Sequence, residues 1–253
     1  MIRVTNIHKK FGDLHVLKGI DATFMKGKTN LIIGKSGSGK TVFLKCLLGI
    51  HDIDDGDVDF DGRLISEMSI EDRRKLRLEL GMVFQGSALF DSLTVEENVS
   101  FPLRMFTKKS SKEIAERTNF CLNRVNIENA NHLFPAEISG GMQKRVAIAR
   151  AIVMNPRYLF CDEPNSGLDP KTAMVIDELI QEITQEFDIT TVINTHDMNS
   201  VLQIGDHVNF LVGGKKIWEG SKEDVLHTDN QELADFVFSS ELFKKVRRAA
   251  RSE

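Results

Sequence analysis

Short apolar runs alternate with helical patterns along most of the chain, and this alternation predicts a mixed α/β fold. Strand patterns, with apolar and β-branched side chains between turn residues, lie at residues 2–6, 20–24, 29–33, 80–84, 157–161 and 190–194. Helical patterns with charged outer faces lie at residues 69–80, 111–125, 139–153 and 170–187. Strands that alternate with helices typically form a parallel sheet that helices cover on both faces.

Two further segments predict antiparallel pairing rather than parallel crossovers. Residues 56–64 alternate apolar with polar side chains, which is typical of an antiparallel edge strand. Residues 210–218 predict a hairpin, because two apolar runs flank Gly213 and Gly214 and glycines adopt the turn conformations that hairpins need. We therefore expect a small antiparallel β region beside the parallel core.

Helical patterns dominate the middle of the chain, where the alternation with strands stops. Two helices are predicted there, with Ser111 and Ser139 at their starts. The second is expected to carry an apolar face of Met142, Val146, Ala149 and Val153, with Lys144 and Arg145 on the opposite face. We expect residues 86–155 to form a helical subdomain inserted in one domain that spans residues 1–230. Residues 231–253 predict a helical extension with the basic side chains Lys244, Lys245, Arg247, Arg248 and Arg251.

Composition narrows the classes of function. The 253 residues are 41% hydrophobic and 28% charged, with a formal net charge of -4, which are ordinary values for a globular protein. Without a basic surplus there is no global field to hold nucleic acid, so we expect no nucleic-acid partner. No run approaches the roughly 20 apolar residues that span a bilayer, and residues 1–10 resemble a strand more than a signal peptide. We therefore expect the protein to stay in the cytosol.

The cysteines and histidines predict no metal centre. Cys46, Cys121 and Cys161 are odd in number, lie far apart and form no Cys-x-x-Cys pair. The seven histidines show no metal-ligand spacing either. Free thiols in a reducing compartment are the expected state.

Residues 34–41 match the pattern of a phosphate-binding loop in full. Glycines let backbone N–H groups curl around an anion, and the following helix points the positive end of its dipole at the phosphates. Lys40 supplies a mobile cation for the β and γ oxygens, and Thr41 offers a hydroxyl to Mg²⁺. The strand pattern before the loop and the helical pattern after it argue against a chance glycine-rich turn. The predicted nucleotide-binding residues of the loop are Gly34, Ser36, Gly37, Ser38, Gly39, Lys40 and Thr41.

Two carboxylates, Asp162 and Glu163, follow the apolar strand pattern of residues 157–161. Ligands bind at the carboxyl ends of the strands in a parallel α/β sheet. We predict that Asp162 holds Mg²⁺ and that Glu163 accepts a proton from the attacking water, a role worth roughly 10²–10⁴ in rate. Taken alone, a solvated acidic turn before Pro164 explains the pair equally well, and the phosphate loop favours the catalytic interpretation.

The motif that identifies a family lies upstream of the acidic strand, at residues 138–143. A serine and two glycines at a helix start form a second anion site, since a hydroxyl and free N–H groups meet there. Alone, this is an ordinary helix cap followed by flexible glycines. Between the phosphate loop and the acidic pair it resembles the signature sequence of ABC ATPases, although Ile138 and Met142 replace the usual Leu and Gln.

The resemblance assigns roles to four further positions. Gln85 resembles the Q-loop glutamine that senses Mg²⁺ and the attacking water, and Asp169 ends the run 166–169, which is similar to the D-loop. His196 resembles the switch histidine that contacts the γ-phosphate. Phe11 resembles the aromatic residue, usually Tyr, that stacks on adenine. Plain core packing for Phe11 and a structural role for His196 are the alternatives.

Several expectations follow from the resemblance, which extends over residues 2–220. The implied fold is α/β, a P-loop NTPase of the ABC type with a RecA-like parallel-sheet core, an antiparallel β subdomain and an α-helical signature subdomain. The implied partner is a second copy in a head-to-tail homodimer. ATP with Mg²⁺ is then bound by the phosphate loop of one subunit and covered by Ser139, Gly140 and Gly141 of the other. The implied catalytic residues are Glu163, His196, Gln85 and Lys40, and the implied metal ligands are Thr41, Gln85 and Asp162.

The family includes transporters and other machines, and the sequence favours a transporter. The long coiled-coil insertion of chromosome and repair types is missing, and there is one ABC domain rather than the two of ribosome-binding types. Residues 86–99 resemble the groove for a membrane permease subunit, although several of their apolar side chains suit the subdomain core equally. We expect a peripheral protein on the cytoplasmic face of the inner membrane. A DNA-repair or ribosome-associated ATPase is the non-transport alternative.

Two runs suggest a cargo. Residues 84–90 and 98–104, together with Met142 after Ser139, Gly140 and Gly141, resemble Mla-type lipid-transport ATPases. Proteins of this type work with a permease and a lipid-binding shuttle to move phospholipids between membranes. An importer of amino acids or other small solutes is the alternative, because the cargo does not touch the ATPase subunit.

Overall fold

The structure is a computed structural model that describes residues 1–250, apart from the side chains of Leu242 and Ala250. Contacts between Cα atoms divide the chain into two compact units. The first unit contains Met1–Met68 and the segment from Val192 onwards, and the second contains Ser69–Thr191. Residues 251–253, including the predicted basic residue Arg251, lie outside the described residues.

An antiparallel sheet of three strands opens the first unit. It contains β1 (Ile2–Phe11), β2 (Leu14–Phe24) and β4 (Asp55–Phe60), in the order β2-β1-β4. The predicted edge strand at residues 56–64 is confirmed as β4, although the strand ends at Phe60 because the chain turns at Asp61 and Gly62. Strands β1 and β2 are longer than the patterns at 2–6 and 20–24, because β1 continues through the polar residues 8–10 and β2 begins before Gly19, which resembles a strand break in the sequence.

The rest of the first unit contains a parallel strand pair, a hairpin and helices. Strand β3 (Thr29–Ile33) is buried at all five positions and pairs in parallel with β8 (His207–Val212). The predicted hairpin is confirmed, since β8 turns through Gly213 and Gly214 into β9 (Lys215–Gly220). The helices of this unit are α1 (Lys40–Leu47), α7 (Met198–Ile204), α8 (Lys222–His227), α9 (Gln231–Val237) and α10 (Glu241–Ala250).

The second unit combines a parallel strand pair with five helices. Strand β5 (Leu80–Val83) pairs in parallel with β6 (Tyr158–Asp162), and β7 (Thr190–Thr195) carries the chain from this unit into the first. The helices are α2 (Ile70–Leu78), α3 (Val95–Phe106), α4 (Ser111–Arg124), α5 (Gly140–Ile152) and α6 (Pro170–Glu186). Helices α3, α4 and α5 pack against one another.

Side-chain caps determine where the helices of the second unit begin. Ser69, Thr94, Ser110, Ser139 and Asp169 each accept a hydrogen bond from a backbone N–H of the first turn. Such a bond satisfies one of the donors that a helix start leaves unpaired. The cap of α4 is Ser110 and not Ser111 as the pattern predicted, because Glu113 completes a reciprocal capping box with Ser110.

None of the described helices is both long and apolar enough to cross a membrane. Buried apolar side chains instead belong to packed cores, for example Val99 and Val146 in the helical part of the second unit. One buried polar residue is prominent among them. Asn98 on α3 is fully buried, accepts from Phe90 N at 2.8 Å and donates to the carbonyls of Phe90, Leu93 and Thr94.

We expect Asn98→Ala to lower the free energy of unfolding by about 2 kcal/mol, because it removes a buried amide and leaves Phe90 N and the Leu93 carbonyl without their side-chain partner. Urea unfolding followed by circular dichroism measures the change. Asn123→Ala, at an exposed position of α4, is the matched control and should change the midpoint little. Equal midpoints for the two variants would contradict this role of Asn98.

Candidate functional site

The phosphate loop lies between β3 and α1, and its glycines are required by the backbone. Gly34, Gly37 and Gly39 have φ angles of 153°, 77° and 101°, which side-chain-bearing residues rarely adopt. A Cβ on Gly34 would lie 2.3 Å from the Leu211 carbonyl oxygen, and one on Gly39 would lie 3.0 Å from Leu17 Cδ2. At Gly34 and Gly39 the loop therefore lies so close to Leu211 and Leu17 that a side chain would displace it.

Lys40 closes over the loop that precedes it. The residue is buried, and its Nζ donates to the carbonyl oxygens of Gly34 at 2.8 Å and Lys35 at 3.3 Å. Helix α1 has no side-chain cap, since Gly39 occupies the cap position. The first N–H groups of the helix and the ammonium group of Lys40 thus provide positive charge at one place, which suits an anion.

Two hydroxyl groups complete the loop. Ser38 Oγ is buried and has no hydrogen-bond partner among the described residues, which suits a ligand oxygen beside it. Thr41 lies exposed on the first turn of α1. Hydroxyl, ammonium and backbone N–H groups are the donors that phosphates bind in proteins, so the loop fits the predicted nucleotide. Ser36 and Gly37 are exposed on the same loop.

Phe11 and His196 also belong to the first unit. Phe11 ends β1 with 44% of its surface exposed, and its ring meets the His51 ring edge-on at 5.2 Å between centroids. The alternative of plain core packing is therefore wrong for Phe11. His196 is exposed and comes directly after β7, just before Asp197 caps α7.

In the second unit the structure brings Gln85 and Glu163 together. Gln85 Nε2 donates to Glu163 Oε2 at 3.2 Å and to Ser166 Oγ at 3.4 Å. Both residues follow parallel strands, Gln85 after β5 and Glu163 after β6, so they meet at the same sheet edge. Glu163 has a φ of 46°, a conformation that costs a residue with a side chain roughly 1–2 kcal/mol. Such strain is typical of functional positions.

The ligand set predicted for a metal is chemically suitable. Asp162 ends β6 and is half-buried, and Gln85 provides an amide oxygen in the same unit. Carboxylate, amide and hydroxyl oxygens are the ligands that Mg²⁺ prefers. The third predicted ligand, Thr41, belongs to the other unit.

The signature turn lies at the surface. Ser139 caps α5 by accepting from Met142 N at 3.2 Å, and both Ser139 and Gly140 are exposed. Gly140 and Gly141 differ in the space that is available for a side chain. A Cβ on Gly141 would lie 2.9 Å from Thr172 Cγ2, whereas one on Gly140 would meet nothing in this chain within 4 Å. Packing within the chain therefore explains why residue 141 is glycine. No contact within the described part of the chain explains why residue 140 is also glycine.

Asp169 caps the helix that starts at the D-loop. Its Oδ1 accepts from the N–H groups of Lys171 and Thr172, each at 3.1 Å, and its Oδ2 accepts from Thr172 Oγ1 at 2.5 Å. The Thr172 hydroxyl, followed by the backbone donors, holds the pKa of the Asp169 carboxyl below its usual value. Asp169 therefore stabilises the start of α6 within the chain, in addition to its predicted role in the D-loop.

Sequence reasoning missed two residues that hold the loop around Gln85. Lys144 on α5 is buried and donates to the Gln85 carbonyl, and Arg150 on the same helix donates to the carbonyls of Ser87 and Ala88 at 2.8 Å and 2.7 Å. Lys144 was expected on a face opposite to the buried one, which is wrong. The signal for its burial is the helical spacing of Lys144 with the buried residues Ala147, Ile148 and Ala151.

Comparisons with known proteins identify relatives of this chain. A family model described as ABC transporter matches residues 17–166. The methionine import ATP-binding protein MetN of Clostridium tetani is 37% identical over 242 residues, which cover 96% of this chain and 76% of MetN. The intermembrane phospholipid transport system ATP-binding protein MlaF of Haemophilus influenzae is 34% identical over 237 residues, covering 94% of this chain and 90% of MlaF.

A solved structure extends the similarity to three dimensions. It is a dimeric ATP-binding cassette in a post-hydrolysis state, bound to ADP and Pi, with a TM-score of 0.79 and 32% identity. The alignment covers 88% of this chain and 99% of that cassette. The predicted α/β cassette fold is thereby confirmed.

We expect Gly34→Ala to weaken nucleotide binding by at least about 10-fold, equivalent to roughly 1.4 kcal/mol, because the added Cβ displaces the loop from the Leu211 carbonyl. Titration with a fluorescent ATP analogue measures the affinity, and circular dichroism shows that the variant is folded. Gly86→Ala, where a Cβ meets nothing within 4 Å, is the control and should keep the wild-type affinity. Unchanged affinity in Gly34→Ala would contradict this reading of the loop.

Proposed function

Because the chain belongs to the ABC transporter family and is an ATP-hydrolysing subunit, we propose that its phosphate loop binds ATP and that Glu163 is the general base. The observation that carries this assignment is the hydrogen bond between Gln85 and Glu163, which orients one carboxylate oxygen. A general base must be held within hydrogen-bond reach of the proton it accepts. The amide of Gln85 holds Glu163 in a single orientation for that task.

The remaining residues of the reaction bind and orient the triphosphate. Lys40 exchanges its bonds to the loop carbonyls for the β and γ oxygens, while backbone N–H groups of the loop surround the phosphates. Asp162 and Gln85 of the second unit would hold Mg²⁺, which would offset negative charge on the phosphate oxygens, and Thr41 of the first unit would offer its hydroxyl to Mg²⁺. His196 contacts the γ-phosphate, and the exposed ring of Phe11 stacks on adenine.

A second copy of the chain completes the site. Ser139 and Gly140 are exposed at the positive end of α5, and Gly140 has no internal reason to be glycine. A phosphate approached by backbone from a partner subunit supplies that reason, because a Cβ at Gly140 would separate the two. We place Ser139, Gly140 and Gly141 over ATP bound to the other subunit of a head-to-tail homodimer, with Asp169 at the same interface. The similar solved cassette is dimeric.

An apolar groove in the second unit accepts the permease. The groove has a volume of about 470 Å³, and its aromatic lining is Phe84, Phe90, Phe101 and Phe106. Arg77 and Arg150 add positive charge to it. It extends beyond the predicted stretch 86–99 onto β5 and the carboxyl end of α3. An amphipathic helix of the permease with an acidic side chain matches this lining, and it would place the protein peripherally on the cytoplasmic face of the inner membrane.

The cargo we assign is phospholipid moved between membranes, with a lipid-binding shuttle as a further partner. The assignment is supported by the similarity to the phospholipid transport protein MlaF and by the runs at 84–90 and 98–104 with Met142 in the signature. A methionine or other small-solute importer is the second candidate, because the identity to MetN is 37%. The two candidates share the same ATPase chemistry and differ in the permease.

We expect Glu163→Gln to bind ATP, to lower kcat by at least about 10²-fold and to accumulate as an ATP-bound dimer, because the base is lost and the phosphate contacts stay. Release of phosphate measures turnover, and light scattering after size exclusion measures the dimer. The double variant Glu163→Gln with Ser139→Arg should bind ATP and stay monomeric. Wild-type turnover in Glu163→Gln would refute its role as the base.

We expect the chain, purified from detergent-solubilised membranes, to bring with it a polytopic membrane protein and bound phospholipid. Phe106→Asp in the groove should abolish this association, because it places a charge among apolar side chains. Phe120→Asp, at a similarly exposed phenylalanine outside the groove, is the control. A permease that carries no phospholipid and whose ATPase responds to methionine would support the second candidate instead.

A further inference from the structure

Helix α5 holds the loop that carries Gln85 through two cationic side chains. Lys144 donates to the Gln85 carbonyl, and Arg150 donates to the carbonyls of Ser87 and Ala88. The loop follows the end of β5, so these carbonyls have no strand partner, and side chains of α5 pair with them instead. We call this arrangement the loop clamp, formed by Lys144 and Arg150.

The loop needs this support because its backbone is strained. Ser87 and Ala88 have φ angles of 62° and 48°, and such conformations cost a residue with a side chain roughly 1–2 kcal/mol each. Arg150 binds the carbonyls of both residues, so it holds the strained turn. Lys144 acts two residues before Ser87, at Gln85 itself, whose side chain reaches Glu163.

Lys144 occupies a position where an apolar residue would be easier to bury. It is 5% exposed and shares a helical face with Ala147, Ile148 and Ala151. Burial lowers the pKa of its amino group.

We propose that Lys144 is a positioning residue that keeps Gln85 within hydrogen-bond reach of Glu163. The contacts run from α5 through the Gln85 backbone to its amide and on to Glu163 Oε2, all within the second unit. Since α5 begins at Ser139 and Gly140, the element that we place against the partner subunit's ATP is also the one that holds the base. Displacement of α5 therefore changes how Glu163 is oriented. This inference rests on the proposed role of Glu163.

The test is the steady-state kinetics of Lys144→Met, which removes the donor and keeps much of the apolar stem. We expect kcat to fall about 10-fold with KM for ATP changed less than about 2-fold, because the base is misplaced and the phosphate loop is untouched. Lys144→Arg, which keeps a cationic donor, should recover at least part of the loss. Lys112→Met, at an exposed lysine of α4, is the matched control and should match wild type.

A double-mutant cycle separates positioning from general support of the fold. In a Gln85→Ala background, Lys144→Met should lower kcat no further, because the side chain through which Lys144 acts is gone. If Lys144→Met does not fold by circular dichroism, Lys144→Gln takes its place in the cycle. An equal additional loss in both backgrounds, or unchanged kcat in the folded variant, would overturn the proposal. Wild-type turnover in Glu163→Gln would instead identify the assignment of the base as the error.

Discussion

Backbone groups without a strand or helix partner are the constraint on which this structure depends. Such groups occur where strands end, and each must be paired by a side chain, by water or by a ligand. In the first unit, the Gly34 and Lys35 carbonyls of the phosphate loop accept from Lys40, whose ammonium group lies on the first turn of α1. The cation that pairs with the loop carbonyls is therefore also the one that we assign to the phosphate.

In the second unit, carbonyl groups that follow a strand are likewise paired by cationic side chains. Two cations of α5 pair with three carbonyls of the loop after β5, and the side chain of Gln85 is then directed at Glu163. The strain at Ser87, Ala88 and Glu163 lies in this region. Strained residues persist only where surrounding contacts hold them, so the helix is part of the chemistry that we assign to Glu163.

Two residues that cap helices, Ser139 and Asp169, also lie on turns that we assign to the interface with a second subunit. Ser139 pairs with Met142 N as a cap, and it lies exposed where a second subunit's nucleotide is proposed to bind. Asp169 likewise caps α6 at the D-loop. In both cases the local bond stabilises the helix in a single subunit, while the exposed remainder of the turn is available for a partner.

Local patterns were sufficient for most of the elements and for locating the candidate phosphate loop and acidic pair. The buried strands and amphipathic helices, the glycines of the loop and the acidic pair after β6 follow from periodicity and spacing, because neighbours in sequence determine them. The ends of β1 and β2 and the cap of α4 were less predictable, since polar residues extend β1, Gly19 lies inside β2, and neighbouring serines compete as caps. Only the tertiary structure revealed that Leu211 makes glycine necessary at position 34, that Gln85 meets Glu163, and that the buried Lys144 holds Gln85. Each of these contacts joins residues far apart in the chain, and no local pattern encodes which distant groups will meet.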